Sequence, residues 1–189
     1  MHASSNLAVR TICPLILLAL IGTPISGDEG PASTDDTKSG DERRAVVSSV
    51  GAARVLASVL HEAMHATLQT THDRYYREDE GLPIPAAIMK NVFEDIKTKQ
   101  NVTLRWLVVE GQAMNTDHVA KGKFEEAAVK LLKAGELSHE EFEDGIYRRA
   151  APITLSNHCL KCHVPDRKDT RDRKAGLIVS VPVAAKASH

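Results

Sequence analysis

Apolar residues recur along this chain with two different periods, and the change from one to the other outlines a fold. From Ala45 to about Tyr76 there is no proline. Val46, Val50, Ala53, Ala57, Leu60, Met64, Leu68 and Tyr75 share one face at ~100° per residue, which predicts one long helix. Arg74 to Gly81 breaks the pattern. Pro83 and Pro85 then open a second helical run, IPAAIMKNVFEDIKTK, with Ile88, Val92 and Ile96 on one face. At Asn101 the period shortens to two. Val102, Leu104, Trp106 and Val108 alternate with a second, largely apolar set, so a strand covered on both faces is expected. Gly111 to Gly122 reads as a turn-rich connection and Lys123 to Ala134 as a short amphipathic helix. Gly145 to Leu155 and Gly176 to Val183 read as two further strands, the last with Pro182 at an edge or near its end. Helix, helix, strand, helix, strand, loop, strand predicts an α+β domain over residues 45–184, a small antiparallel sheet with helices on one side.

The first residues follow another pattern. Thr11 to Gly22, TICPLILLALIG, is an apolar run after a weakly positive start, followed by Pro24 and the small residues Ser26 and Gly27. This is the three-part pattern of a secretory signal peptide over residues 1–27. The run falls short of the ~20 residues that span a bilayer, so no membrane span is expected in the mature chain. Asp28 to Arg44, DEGPASTDDTKSGDERR, is polar and charged and reads as a disordered tether; residues 185–189 form a short tail. An exported, periplasmic location follows.

Charge adds an exclusion. The 24 Lys and Arg against 25 Asp and Glu leave no basic field to hold a nucleic acid. Aromatic content of 4% makes the core mainly aliphatic. Of three cysteines, Cys13 lies in the leader, leaving Cys159 and Cys162 in one motif and no disulfide framework.

That motif, Cys159-Leu160-Lys161-Cys162-His163, is the attachment signature of c-type heme. Two thiols three positions apart can each add to one heme vinyl group, and the adjacent imidazole is held under the iron as proximal ligand. A redox dithiol would normally open a helix in a βαβ context, which Pro152 and the strand-like run before the motif do not fit. A zinc site would need a second pair of cysteines or a spaced histidine pair. The expected cofactor is therefore heme c.

The segment from Val46 to Val183 resembles a family of exported single-heme domains long catalogued as a domain of unknown function. Arg105, Asn115, Phe124-Glu125, Ile146-Tyr147, Ala151-Pro152-Ile153 and the C-x-x-C-H run carry the resemblance, in that order along the chain. It implies a PAS-like fold, found in stand-alone periplasmic proteins and in the outer sensing part of histidine kinases. Some members supply a cysteine as distal iron ligand near the position of Asn91; this chain has none there, so its sixth ligand must differ or be absent. Candidates are His61, Met64, His65, His72, Met89, Met114 and His118. His61, His65, Leu68 and His72 fall within an arc of ~40° on the first helix. His61 and His72 are ~16 Å apart along its axis, so at most one can reach the iron. His72 is favoured, because sensor-type relatives carry a histidine followed by a tyrosine and a proline at about this place; His65 is second and Met64 third. His158 is too close to the motif to reach the opposite heme face. Arg105, with Arg148 and Arg149, is the expected partner of the heme propionates.

Three functions fit. A redox- or ligand-responsive sensor module is favoured by the PAS-like resemblance and by the lack of any other catalytic constellation. With no signalling segment after Val183, it would need a partner protein. A small periplasmic electron carrier with a redox partner is the alternative. A heme peroxidase-type enzyme, requiring an open iron position with His61 or His65 as acid-base group, ranks last.

Overall fold

In a computed structural model the described residues are 47–113, 115–164 and 166–184. The leader, the tether, the 185–189 tail and Met114 lie outside them. The first helix, α1, runs Val50–Arg74. Ser49 caps it, its hydroxyl accepting the Ala52 N–H at 3.1 Å. Ala53 and Ala57 are fully buried, which lets the helix axis approach the sheet closely. Val50, Leu60, Met64 and Leu68 pack around the same core, as the periodicity implied. Two details differ. Tyr75 is 71% exposed, because the helix ends there and the residue leaves the stripe. His61, a polar residue outside the apolar stripe, is nonetheless buried at 3% exposure.

α2 spans Pro85–Gln100, with proline in its first turn and Asn101 in the left-handed conformation at its end. Its inward face is Met89 and Phe93, not Ile88 and Val92, which are 49% and 42% exposed. Phe93 meets the Trp106 ring at 4.8 Å, and that aromatic contact sets the helix rotation.

Four strands form one antiparallel sheet in the order β1-β4-β3-β2: β1 Thr103–Val108, β2 His139–Glu143, β3 Ile146–Leu155 and β4 Arg173–Pro182. The architecture is α+β with one antiparallel sheet, as expected. β2 was not expected, since HEEFE carries no apolar alternation. It forms because Asp144 and Gly145, with φ of 50° and 73°, make a two-residue turn that folds it back on β3. β4 is a central strand, and Pro182 closes its end rather than marking an edge.

Helices cover both faces of the sheet, not one. α1 and α2 cover Leu104, Trp106, Ile153, Leu177 and Val179. α3, Gly122–Ala134, buries Phe124, Ala128 and Leu132 on the opposite face against Leu107, Ala150 and Ile178. Both alternating sets of β1 and β4 are apolar, so each needs cover. A short helix, α4 Asn157–His163, follows β3 directly. No helix among the described residues is long and apolar enough to cross a membrane.

Candidate cofactor site

α4 holds the whole C-x-x-C-H run. The motif is thus helical after all, but β3 and β4 on either side of it are antiparallel neighbours, so it does not sit in a βαβ crossover. Helical spacing puts Cys159, Cys162 and His163 on one side, and all three line a cavity of about 210 Å³. Both cysteines are free thiols, Cys159 half-buried and Cys162 exposed. Leu160, fully buried, pins the helix to the core, and Arg167 donates to its carbonyl at 3.3 Å.

The backbone of His163 is held from the far side. Gln112 N–H donates to the His163 carbonyl at 3.2 Å. Gly111 makes this approach possible. Its φ is +88°, and a Cβ there would stand 2.6 Å from the His163 carbonyl oxygen and 2.9 Å from Val164 Cγ2. Sequence reading had placed Gly111 in a connection without seeing this role; the signal was a lone glycine where strand periodicity ends.

The cavity walls are mainly apolar, including Leu68, Ala86, Trp106, Ile153 and Leu155. Trp106 is oriented by its indole N–H, which donates to the Ala86 carbonyl at 3.1 Å. Histidines supply most of the remaining chemistry: His72, His118 and His158 join His163 in the wall. The His72 ring lies 4.8 Å from that of His158 and 5.0 Å from Tyr76. Burial, and then the neighbouring His158 and His163, hold the His72 imidazole below its ordinary range. Burial does the same for His163. Burial, followed by the charges of Lys90 and Arg105, lowers His118. Each ring is thus biased towards the neutral form, whose free nitrogen lone pair can bind iron.

The other distal candidates lie elsewhere. His65 is outside the cavity wall, its Nε2 accepting the Thr154 N–H at 3.3 Å. His61 is buried with Nδ1 3.3 Å from Glu62 and Nε2 without a partner. Met64 packs against the core and Met89 is buried in it. His158 lines the cavity beside the motif, against His72.

Arg105 does not line the cavity. Strand alternation turns it to the side away from Leu104 and Trp106. There it donates to the carbonyls of Asp117 at 2.6 Å and Val119 at 2.7 Å and pairs with Glu125 at 2.7 Å. It braces the segment that carries Asn115 and His118 into the wall. Arg148 pairs with Glu143 at 3.7 Å and Arg149 with Glu140 at 2.6 Å, also outside the cavity. The Lys or Arg that does line it is Lys90 of α2, which sequence reading missed because nothing in the local pattern distinguishes it from a solvated lysine.

Among the described residues no three His, Cys, Asp or Glu side chains group as a metal site. The thiols and imidazoles are instead spread around a slot. That donor set suits a flat apolar ring: two thiols one helical turn apart, an adjacent neutral imidazole, further imidazoles in the same wall, and apolar sides.

The family model described as Tll0287-like matches residues 42–180. Among solved structures, the chain is similar to the crystal structure of the cyanobacterial heme-protein Tll0287. Identity is 14%, over 72% of this chain and 96% of that chain, with a TM-score of 0.49. No curated protein matches it.

Proposed function

The chain belongs to the Tll0287-like family, and from that premise we propose that it is an exported protein carrying one c-type heme and acting as a redox- or ligand-responsive sensor module. The convergence of Cys159, Cys162 and His163 on one mainly apolar cavity that His72 also lines carries this reading. The protein after which the family is described is a heme-protein, which supports it.

When bound, heme supplies a one-electron redox couple and an iron whose axial positions can be filled or opened. Cys159 and Cys162 would hold the ring through their thiols. His163, which burial biases towards its neutral form, would hold the iron. Gly111 and Gln112 fix its backbone, so the imidazole is oriented before any ligand arrives. His72, in the same cavity wall, would be the further residue to hold the iron. It sits in the last turn of α1, the helix whose other end, Ser49, leads back towards the proposed tether. One rigid element therefore links the sixth-ligand position to the start of the domain, which supports a signalling role through a partner protein. The exposure of Cys162 favours a second reading, an electron carrier that presents a heme edge to a redox partner. No acid-base pair beside an open position is built into the cavity by these assignments, and an enzyme is the least favoured role.

Two measurements test the proposal. Heme stain should survive denaturing electrophoresis of the native protein and vanish in the Cys159→Ala/Cys162→Ala variant; stain retained by the variant refutes covalent attachment. Ferrous protein in which carbon monoxide slowly displaces His72 supports the sensor reading, and refusal supports the carrier.

A further inference from the structure

The cavity opens at one seam onto a surface groove. Lys90, Trp106 and His118 line both, and Lys97 and Lys121 line the groove beyond. Lys90 is exposed on α2, and it supplies the sole lysine or arginine in the cavity wall among the described residues. Arg105, also at the groove, is already occupied by Glu125 and two carbonyls. The wall's carboxylate, Glu110, accepts the Lys174 N–H at 2.8 Å.

We propose that the seam formed by Lys90 and His118 is the carboxylate subsite of the cavity, receiving the propionate edge of a bound porphyrin. The inference rests on the heme reading above and adds the orientation of the ring. An amphiphilic ring entering an apolar slot leaves its carboxylates where water and a cation are available together. The seam offers both: it joins the groove, and Lys90 stands there. The charge of Lys90 already reaches His118, where it helps to keep the imidazole neutral. The neutral ring can still donate one N–H to a carboxylate.

The test uses holoprotein with covalent heme and three variants: Lys90→Met, Lys90→Arg and Lys97→Met. Lys97 lines the groove but not the cavity, so it controls for a general change of surface charge. Resonance Raman propionate-bending bands should shift in Lys90→Met, return in Lys90→Arg and stay unchanged in Lys97→Met. The midpoint potential should fall in Lys90→Met, because an ammonium favours the more electron-rich ferrous state, with a several-fold shift of the one-electron equilibrium. Equal responses of Lys90→Met and Lys97→Met, or none in either, overturn the subsite while leaving the heme reading intact. Native protein without covalent heme overturns that reading and the subsite with it.

Discussion

The close approach of Gly111 to His163 makes a strong prediction. In Gly111→Ala the new Cβ would lie 2.6 Å from the His163 carbonyl oxygen, and the neighbour is backbone, which cannot simply swing aside. Two costs combine. A residue with a Cβ pays ~1–2 kcal/mol for a left-handed conformation. Relief of the clash then moves Gln112 away from the His163 carbonyl, losing a hydrogen bond worth about 1 kcal/mol net. The sum is roughly 2–3 kcal/mol, which lowers Tm by roughly 6–12 °C in a domain of this size. Gly122→Ala is the matched control: its φ is +79°, and a Cβ there meets nothing within 4 Å. It should lose only the backbone part, roughly 3–8 °C. Thermal unfolding followed by circular dichroism gives both values. The visible spectrum of the holoprotein should change in Gly111→Ala alone, because displacing the His163 backbone tilts the proximal imidazole. Equal Tm losses with unchanged spectra in both variants would refute the reasoning.

His72→Ala should open the sixth position, turn ferric iron high-spin and admit carbon monoxide, all read from absorption spectra. His65→Ala should leave the spectrum alone and cost about 1 kcal/mol in urea unfolding, because its Nε2 serves the Thr154 N–H. A spectrum that changes in His118→Ala and not in His72→Ala would move the ligand to the other histidine of the cavity wall. Glu140 predicts an acid-limb effect. Burial pushes its carboxyl up, but interactions led by the Arg54 hydrogen bond at 2.7 Å, followed by Tyr147 and by Arg149 at 2.6 Å, overcome this and hold it below its ordinary value. A depressed folded-state value stabilises above the unfolded value of ~4.3 and loses that contribution as pH falls through the folded one. Glu140→Gln should therefore be less stable than the native protein at neutral pH, with the gap closing at acid pH in denaturant titrations. Mass spectrometry of protein exported by its own cell should show a start near residue 28, after the apolar run; an intact N-terminus held in membranes would refute leader removal.

Much of the fold was legible because it is local. α1, α2 and α3 announce themselves by apolar spacing, proline at a helix start and glycine at a helix end, and these act within a few residues. The two-sided apolar pattern of β1 implied cover on both faces, yet the expectation of helices on one side did not follow it through. β2 carried no apolar alternation, and only its Asp144-Gly145 turn could have signalled it. The C-x-x-C-H run is equally local, since two thiols and an imidazole on one helical turn are placed by the chain itself.

Which face of an element is buried depends on its partners, and those come from far along the chain. Phe93 turned α2 inward through Trp106, and no spacing within α2 could say so. His61, His65 and His72 share one strip of α1. The sheet beneath decided that His61 would be buried, that His65 would serve a backbone N–H of β3, and that His72 would line the cavity. Arg105 is the expected propionate partner by sequence, but strand alternation puts it on the opposite side, bracing a segment of the cavity wall. Lys90 enters the wall because packing brings α2 against the cavity, where Ala86 and Ala87 also line it. The sequence by itself determined the covalent chemistry available and the elements that carry it. Tertiary packing decided which histidines and which lysine meet it, because a cavity is formed by residues that no short-range pattern brings together.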